Sequence, residues 1–206
     1  MNKRVIILLF SMLLSTSGAA AANFEVIQLY SQDDLNKLIN NNQHLQRVKA
    51  DECQLVEDIE AHAVKIKEPS YTYLWGDMLA WGVCVDRNAS LGMHYIRLAA
   101  KQGLLAAIEQ LGRYYDKGIL VEEDKYRAVI YYREAALQGF LKAQLNYIRL
   151  LIDGYGSPID YEDAYRALFV NVIPDPKVHQ QAKELLDRLA EKMPEHVVKR
   201  ASKEVI

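Results

Sequence analysis

An excess of charge of one sign is missing from this sequence: 25 lysines and arginines stand against 27 aspartates and glutamates, a formal net charge of -2. Nucleic-acid binding needs a clustered basic surface, so the balance gives that partner class no electrostatic foothold. Cysteine is scarce, and two residues are too few for a disulfide-stapled miniprotein or a four-thiolate zinc site. Ten glycines and five prolines in 206 residues are too few for a disordered or fibrous polymer. Catalytic signatures are absent as well, with no Gly-x-Ser-x-Gly elbow and no phosphate-binding glycine loop. His44, His62, His94, His179 and His196 are scattered, with no pair at metal-ligand spacing on one helix. The densest polar cluster, Glu57, Asp58, Glu60 and His62, reads as a solvated acidic face. Asn88-Ala89-Ser90 matches a glycosylation acceptor, a pattern short enough to arise by accident. These readings assign no catalytic residue, metal ligand, cofactor or small-molecule substrate.

The one apolar run stands at the beginning. Lys3 and Arg4 precede Val5–Leu14, broken only by Ser11, and small residues follow up to Ala19-Ala20-Ala21-Ala22. That is the plan of a secretory signal peptide with its cut after Ala22, and the run is about half the roughly 20 apolar residues a spanning helix needs. The mature chain is therefore expected outside the cytoplasm. Export changes how Cys53 and Cys84 read, because two cysteines in an oxidising compartment more often pair than stay free. A bridge between them, expected over two buried free thiols, closes a loop of about 32 residues and stabilises by roughly 3 to 4 kcal/mol on chain-entropy grounds.

Internal repetition is the strongest signal, with a period of 36 residues. Ala99-Ala100-Lys101-Gln102-Gly103 returns as Ala135-Ala136-Leu137-Gln138-Gly139, and Gly82, Gly118 and Gly154 keep the same spacing. So do Gly76 and Gly112, Tyr95 and Tyr131, Arg97 and Arg133, Leu105 and Leu141, and Ala107 and Ala143. A fixed period of this length signals stacked structural repeats. Each unit reads as two helices. Ile108, Leu111, Tyr114 and Tyr115 recur at helical steps between Leu105 and Lys117, and Gly118 is placed to stop that helix. Asp124 is placed to cap a second helix, along which Ala128, Tyr131, Tyr132, Ala135 and Ala136 line one side before Gly139 ends it. The alanine pairs allow close helix approach beside the larger Tyr131.

Leu-Gly-x-Tyr-Tyr-x-x-Gly at 111–118, with Ala128, Tyr131-Tyr132, Ala135-Ala136 and Gly139, resembles the Sel-like repeat, a relative of the tetratricopeptide repeat. The preceding unit carries Gly76, Gly82, Gly92, Tyr95, Ala99-Ala100 and Gly103 in the same places. The third unit departs, with Ile148 for the first glycine, Asn171-Val172 for the alanine pair and Asp175 for the closing glycine. It reads as a capping unit, followed by an amphipathic helix over Gln180–Met193. The likeness goes beyond the repeat. Leu29–Leu35 and His44–Val56, which includes Cys53, resemble the amino-terminal region of the MotX family, components of the sodium-driven polar flagellar motor. The resemblance implies a non-catalytic periplasmic protein that forms the T ring with a MotY-like partner and helps install the sodium-driven stator complexes. The alternative from another class is a periplasmic Sel-like scaffold or regulator that binds an envelope enzyme.

The expected architecture is an all-α helical-hairpin solenoid. It has a signal peptide over 1–22, a non-repeated region over 23–70, about three repeats over 71–176, and a capping helix and tail over 177–206. Residues 23–70 carry a net charge of -4 and residues 177–206 a net of +2. Ser31 is placed to cap a helix running to Leu45, with Phe24, Val26 and Ile27 before it. This region is either a cap on the solenoid or a docking segment for a partner. Among 13 tyrosines, Tyr95, Tyr115, Tyr131 and Tyr132 read as core, and Tyr71, Tyr73, Tyr155 and Tyr161 as interface candidates. Partner-contact residues are not assigned.

Overall fold

The computed structural model describes residues 30–203. The expected signal peptide, its cut after Ala22, and Phe24, Val26 and Ile27 lie outside the described residues. Among those described, the chain forms eleven α-helices and no strand.

Three short helices come first. In α1 (Gln32–Asn40), the Ser31 hydroxyl accepts from the Asp34 amide at 3.2 Å, and Asp33 and Asp34 sit at the positive end of the helix dipole. The helix does not run to Leu45. Asn42 turns left-handed (φ 55), and the Gln43 amide bonds back to the Leu38 carbonyl at 2.8 Å, closing the last turn. Asparagine tolerates that conformation better than most residues, so the Asn40-Asn41-Asn42 run is a stop signal. α2 (His44–Ala50) and α3 (Val56–Ala61) follow, and α3 continues into a π-helical turn over His62–Ile66.

These elements pack on α4 (Pro69–Trp81), in which every residue from Ser70 to Ala80 is buried. A helix buried all round needs cover on every side. α1–α3 supply it on one flank and α5 (Ala89–Lys101) on another. Tyr71 and Tyr73 are therefore core residues rather than interface candidates, because the amino-terminal helices lie over them.

The repeat hairpins are α4–α5, α6–α7 (Leu105–Lys117 and Lys125–Leu137) and α8–α9 (Leu141–Ile152 and Tyr161–Phe169). Asn88 caps α5 by accepting from the Leu91 amide, and Asp124 caps α7 by accepting from the Arg127 amide. Gly82, Gly103, Gly118, Gly139 and Gly154 all have positive φ at the turns. Glycine also sets the tightest crossing. A Cβ on Gly92 would lie 2.5 Å from the Ala80 nitrogen and 2.6 Å from the Gly76 oxygen. In the second hairpin a Cβ on Gly112 would meet the Tyr132 ring at 2.7 Å. The closest helix approach thus belongs to the glycines, while Ala99, Ala135 and Ala136 are simply buried and Ala100 is partly covered.

In the third hairpin α9 ends at Phe169, so Asn171 and Val172 lie beyond it. Asp175 does not close a helix as Gly103 and Gly139 do. Its carboxylate accepts from the Lys177 and Val178 amides and opens α10 (Pro176–Ala190), which therefore begins before Gln180. α11 (Glu195–Ala201) then packs on α9. Two apolar clusters, one over α1–α6 and one over α6–α11, are bridged by Ala100, Val121, Tyr131 and Phe140 into one continuous core.

Candidate functional site

The junction between the amino-terminal helices and the first repeat holds the molecule's most distinctive chemistry. Cys53, just after α2, is bonded to Cys84, just after α4, with Cα atoms 5.5 Å apart. Beneath α1–α2 runs a buried polar chain. His44 Nε2 meets Asp77 Oδ2 at 2.7 Å, the Tyr114 hydroxyl donates to Asp77 Oδ1 at 3.3 Å, and Trp81 Nε1 donates to the Tyr114 oxygen at 3.2 Å. Burial first, and the Asp77 charge second, push the Tyr73 and Tyr114 hydroxyls well above the usual tyrosine range, so both stay protonated donors. The Tyr71 hydroxyl donates to the Tyr30 carbonyl at 2.7 Å, and burial raises it to about 12. His44 and Asp77 are both nearly inaccessible to solvent, so this chain of groups fastens α2, α4 and α6 together instead of offering a reactive centre.

Outside, two surfaces stand out. α7 is apolar on both sides. Ala128, Val129, Tyr132 and Ala135 face inward, while Tyr126 (68% exposed), Ile130 (65%) and Leu137 (50%) face solvent. The repeat equivalents 36 positions earlier are Ser90, His94 and Lys101, and those 36 positions later are Glu162, Arg166 and Ile173. At the turn after α6, the Tyr115 and Tyr131 rings stack with centroids 5.7 Å apart, and the Arg127 guanidinium lies 4.9 Å over the Tyr115 ring. Burial pushes the Tyr115 hydroxyl up, but hydrogen bonding to Arg127 and Arg97 outweighs it and holds the group below its ordinary value. Tyr155, half-buried, lines the same open groove, with the Lys125 ammonium 5.2 Å over its ring. Tyr131 and Tyr95 are only partly buried, whereas Tyr115 and Tyr132 are core.

The repeat residues singled out from sequence stand at helix crossings, turns and packed faces: Gly76 and Gly112 at crossings, Gly82, Gly103, Gly118, Gly139 and Gly154 at turns, and Ala99, Ala100, Tyr131, Ala135 and Ala136 on packed faces. Glu57, Asp58 and Glu60 are exposed, and the half-buried His62 contacts Glu68 at 3.1 Å. Among the described residues, no group of three or more His, Cys, Asp or Glu side chains could hold a metal ion. No helix among them is long and apolar enough to cross a membrane. The His44–Asp77 contact escaped the sequence because its partners are 33 residues apart, outside any local pattern.

Comparison with known proteins places the chain in a family. The Sel1 repeat family matches residues 69–104 and 105–140, the first two hairpins. A crystal structure of a Sel1 repeat protein from Oxalobacter formigenes is 23% identical, covers 73% of this chain and 52% of its own length, and superposes with a TM-score of 0.49. The sodium-type polar flagellar protein MotX of Vibrio parahaemolyticus is 47% identical over 197 residues, 95% of this chain and 93% of that protein. That span takes in the amino-terminal cap, the repeats and the carboxy-terminal helices alike, and the chain belongs to the MotX family of sodium-type polar flagellar proteins.

Proposed function

We propose that this protein is a non-catalytic periplasmic component of the sodium-driven polar flagellar motor. In this reading it forms the T ring with a MotY-like partner and helps install the stator complexes for rotation. One observation carries the motor role: the 47% identity to the Vibrio parahaemolyticus flagellar protein covers 95% of the chain, not the repeats alone. The architecture supports an assembly role, since stacked helical hairpins build extended contact surfaces. The bonded pair Cys53–Cys84 supports an oxidising compartment, and the amino-terminal apolar run supports delivery there with removal of residues 1–22.

Deleting the gene tests the role. The expected outcome is a cell that builds a polar filament yet does not swim, with swimming restored by the gene in trans. Swimming that survives the deletion overturns the motor reading and favours a regulator of some other envelope protein. Intact mass of the protein recovered from the periplasm checks export, with an amino terminus at Asn23 expected.

A further inference from the structure

A cleft between α6 and α8 brings together two cations, Arg113 and Lys142, around one buried carboxylate, Glu109. Glu109 and Arg113 lie one turn apart on α6, and Lys142 and Asn146 one turn apart on α8, so the two pairs face each other. Leu145 lines the same wall, with Asn42 from the α1–α2 turn and Gln181 from α10 at the rim. The cavity is about 250 Å³, room for a side chain and not for a folded domain. Among the described residues neither Arg113 nor Lys142 has a carboxylate within 4.0 Å. Arg113 donates to the Gln110 amide oxygen and lies 5.7 Å from the Tyr114 ring centroid, while the Lys142 ammonium donates to the Asn40 carbonyl. Glu109 is buried at the floor, where the Asn146 amide donates to it at 3.4 Å.

The repeat shows what should fill this space. One unit earlier, the residues at the positions of Glu109 and Arg113 are Tyr73 and Asp77. There the face is covered by α2, and the anionic Asp77 is met by His44. In the second unit the cover stops at Asn42, and the residue at the same register is a cation. Its complement is an anion. Two cations and the Asn42, Asn146 and Gln181 amide donors outweigh the single carboxylate at the floor, leaving one positive charge to be neutralised. The rim is exposed and the floor buried, so an Asp or Glu side chain on a chain crossing above would reach Arg113 and Lys142 from the open side.

We infer that this cleft binds a side-chain carboxylate presented by an acidic segment of a protein partner, held by Arg113 and Lys142. The test uses the full exported chain, labelled with nitrogen-15, titrated with acetyl-Gly-Gly-Glu-Gly-Gly-amide. Its glutamine counterpart, and that counterpart with a free terminal carboxylate, serve as the comparison arms. The side-chain amide signals of Asn42, Asn146 and Gln181 are expected to shift and saturate with the glutamate peptide. Arg113→Gln and Lys142→Gln should each weaken binding about tenfold, the size of one lost charge-assisted hydrogen bond. Glu109→Gln should strengthen it, and Arg113→Lys should retain it, which keeps the test decisive if Arg113→Gln unfolds. Equal binding of the glutamine peptide, saturation only by the free terminal carboxylate, no saturable shift, or no effect of either cation substitution would overturn the inference. Because the titration reads peptide binding and not swimming, its outcome is independent of the motor role.

Discussion

Gly92 and Gly103 resist substitution for different reasons. Gly103 has open space around its Cβ position but a backbone φ of +87, where a side chain crowds its own carbonyl. Gly103→Val should cost about 1 to 2 kcal/mol, the usual penalty of a left-handed L-residue, and lower the melting temperature by several degrees. Gly92 has ordinary helical backbone, but any Cβ runs into the backbone of Ala80 and Gly76. Alanine there gains helix propensity and still forces two helices apart, so Gly92→Ala should be the more damaging, at about 3 kcal/mol by calorimetry. Glu109 supplies a charge test. Burial raises its pKa above the ordinary 4.5, partly offset by Arg113 and Lys142, so the folded chain holds that proton more tightly than the unfolded one. The resulting stabilisation is full below the unfolded pKa and is lost as pH rises through the folded one. Glu109→Gln should therefore raise the melting temperature at pH 7, and the gain should shrink towards zero near pH 4. A lower melting temperature for the variant at pH 7 would refute this.

Helix ends were the most legible elements. Ser31, Asp124 and Gly118 terminate their helices by local chemistry that acts within three or four residues, and that chemistry is written in the sequence. α1 ends at Asn40 and not at Leu45, because Asn42 turns left-handed and the Gln43 amide closes the last turn on the Leu38 carbonyl. The bridge between Cys53 and Cys84 belongs to the join of two elements, tying the turn after α2 to the turn after α4. Cys53→Ser and Cys84→Ser should each cost roughly 3 kcal/mol on chain-entropy grounds, and the double variant should be no worse than either single one. Thermal melts of the three variants check the energies. Labelling by a thiol reagent without prior reduction should leave both cysteines of the wild-type protein unmodified.

The amino-terminal helices and the first repeat share one apolar core. Leu35, Ile39, Val48, Leu55 and Ile59 share a single apolar cluster with Tyr71, Tyr73, Leu74 and Met78 of α4. A chain begun at residue 69 keeps both matched repeats yet strips the cover from α4 and leaves Asp77 without His44. It should be poorly soluble and lose its cooperative melt, seen by circular dichroism, whereas an independent solenoid would melt sharply. Opposing charge reinforces the other end, where Arg200 on α11 bonds to Glu162 on α9 and holds that carboxyl below its usual range. Arg200 is exposed and Glu162 only half-buried, so the pair should contribute little at high salt.

The period of 36, the two-helix unit and the positions of most turns follow from sequence alone, because each depends on spacing and backbone preference within a few residues. So does the all-α class. Which face of each hairpin stays open could not be read that way. Tyr71 and Tyr73 look like surface tyrosines until the amino-terminal helices are laid over them, and Glu109, Arg113 and Lys142 look like ordinary solvated charges until α6 and α8 meet. Burial and charge pairing depend on contacts between residues far apart in the chain, and only the packed structure decides those.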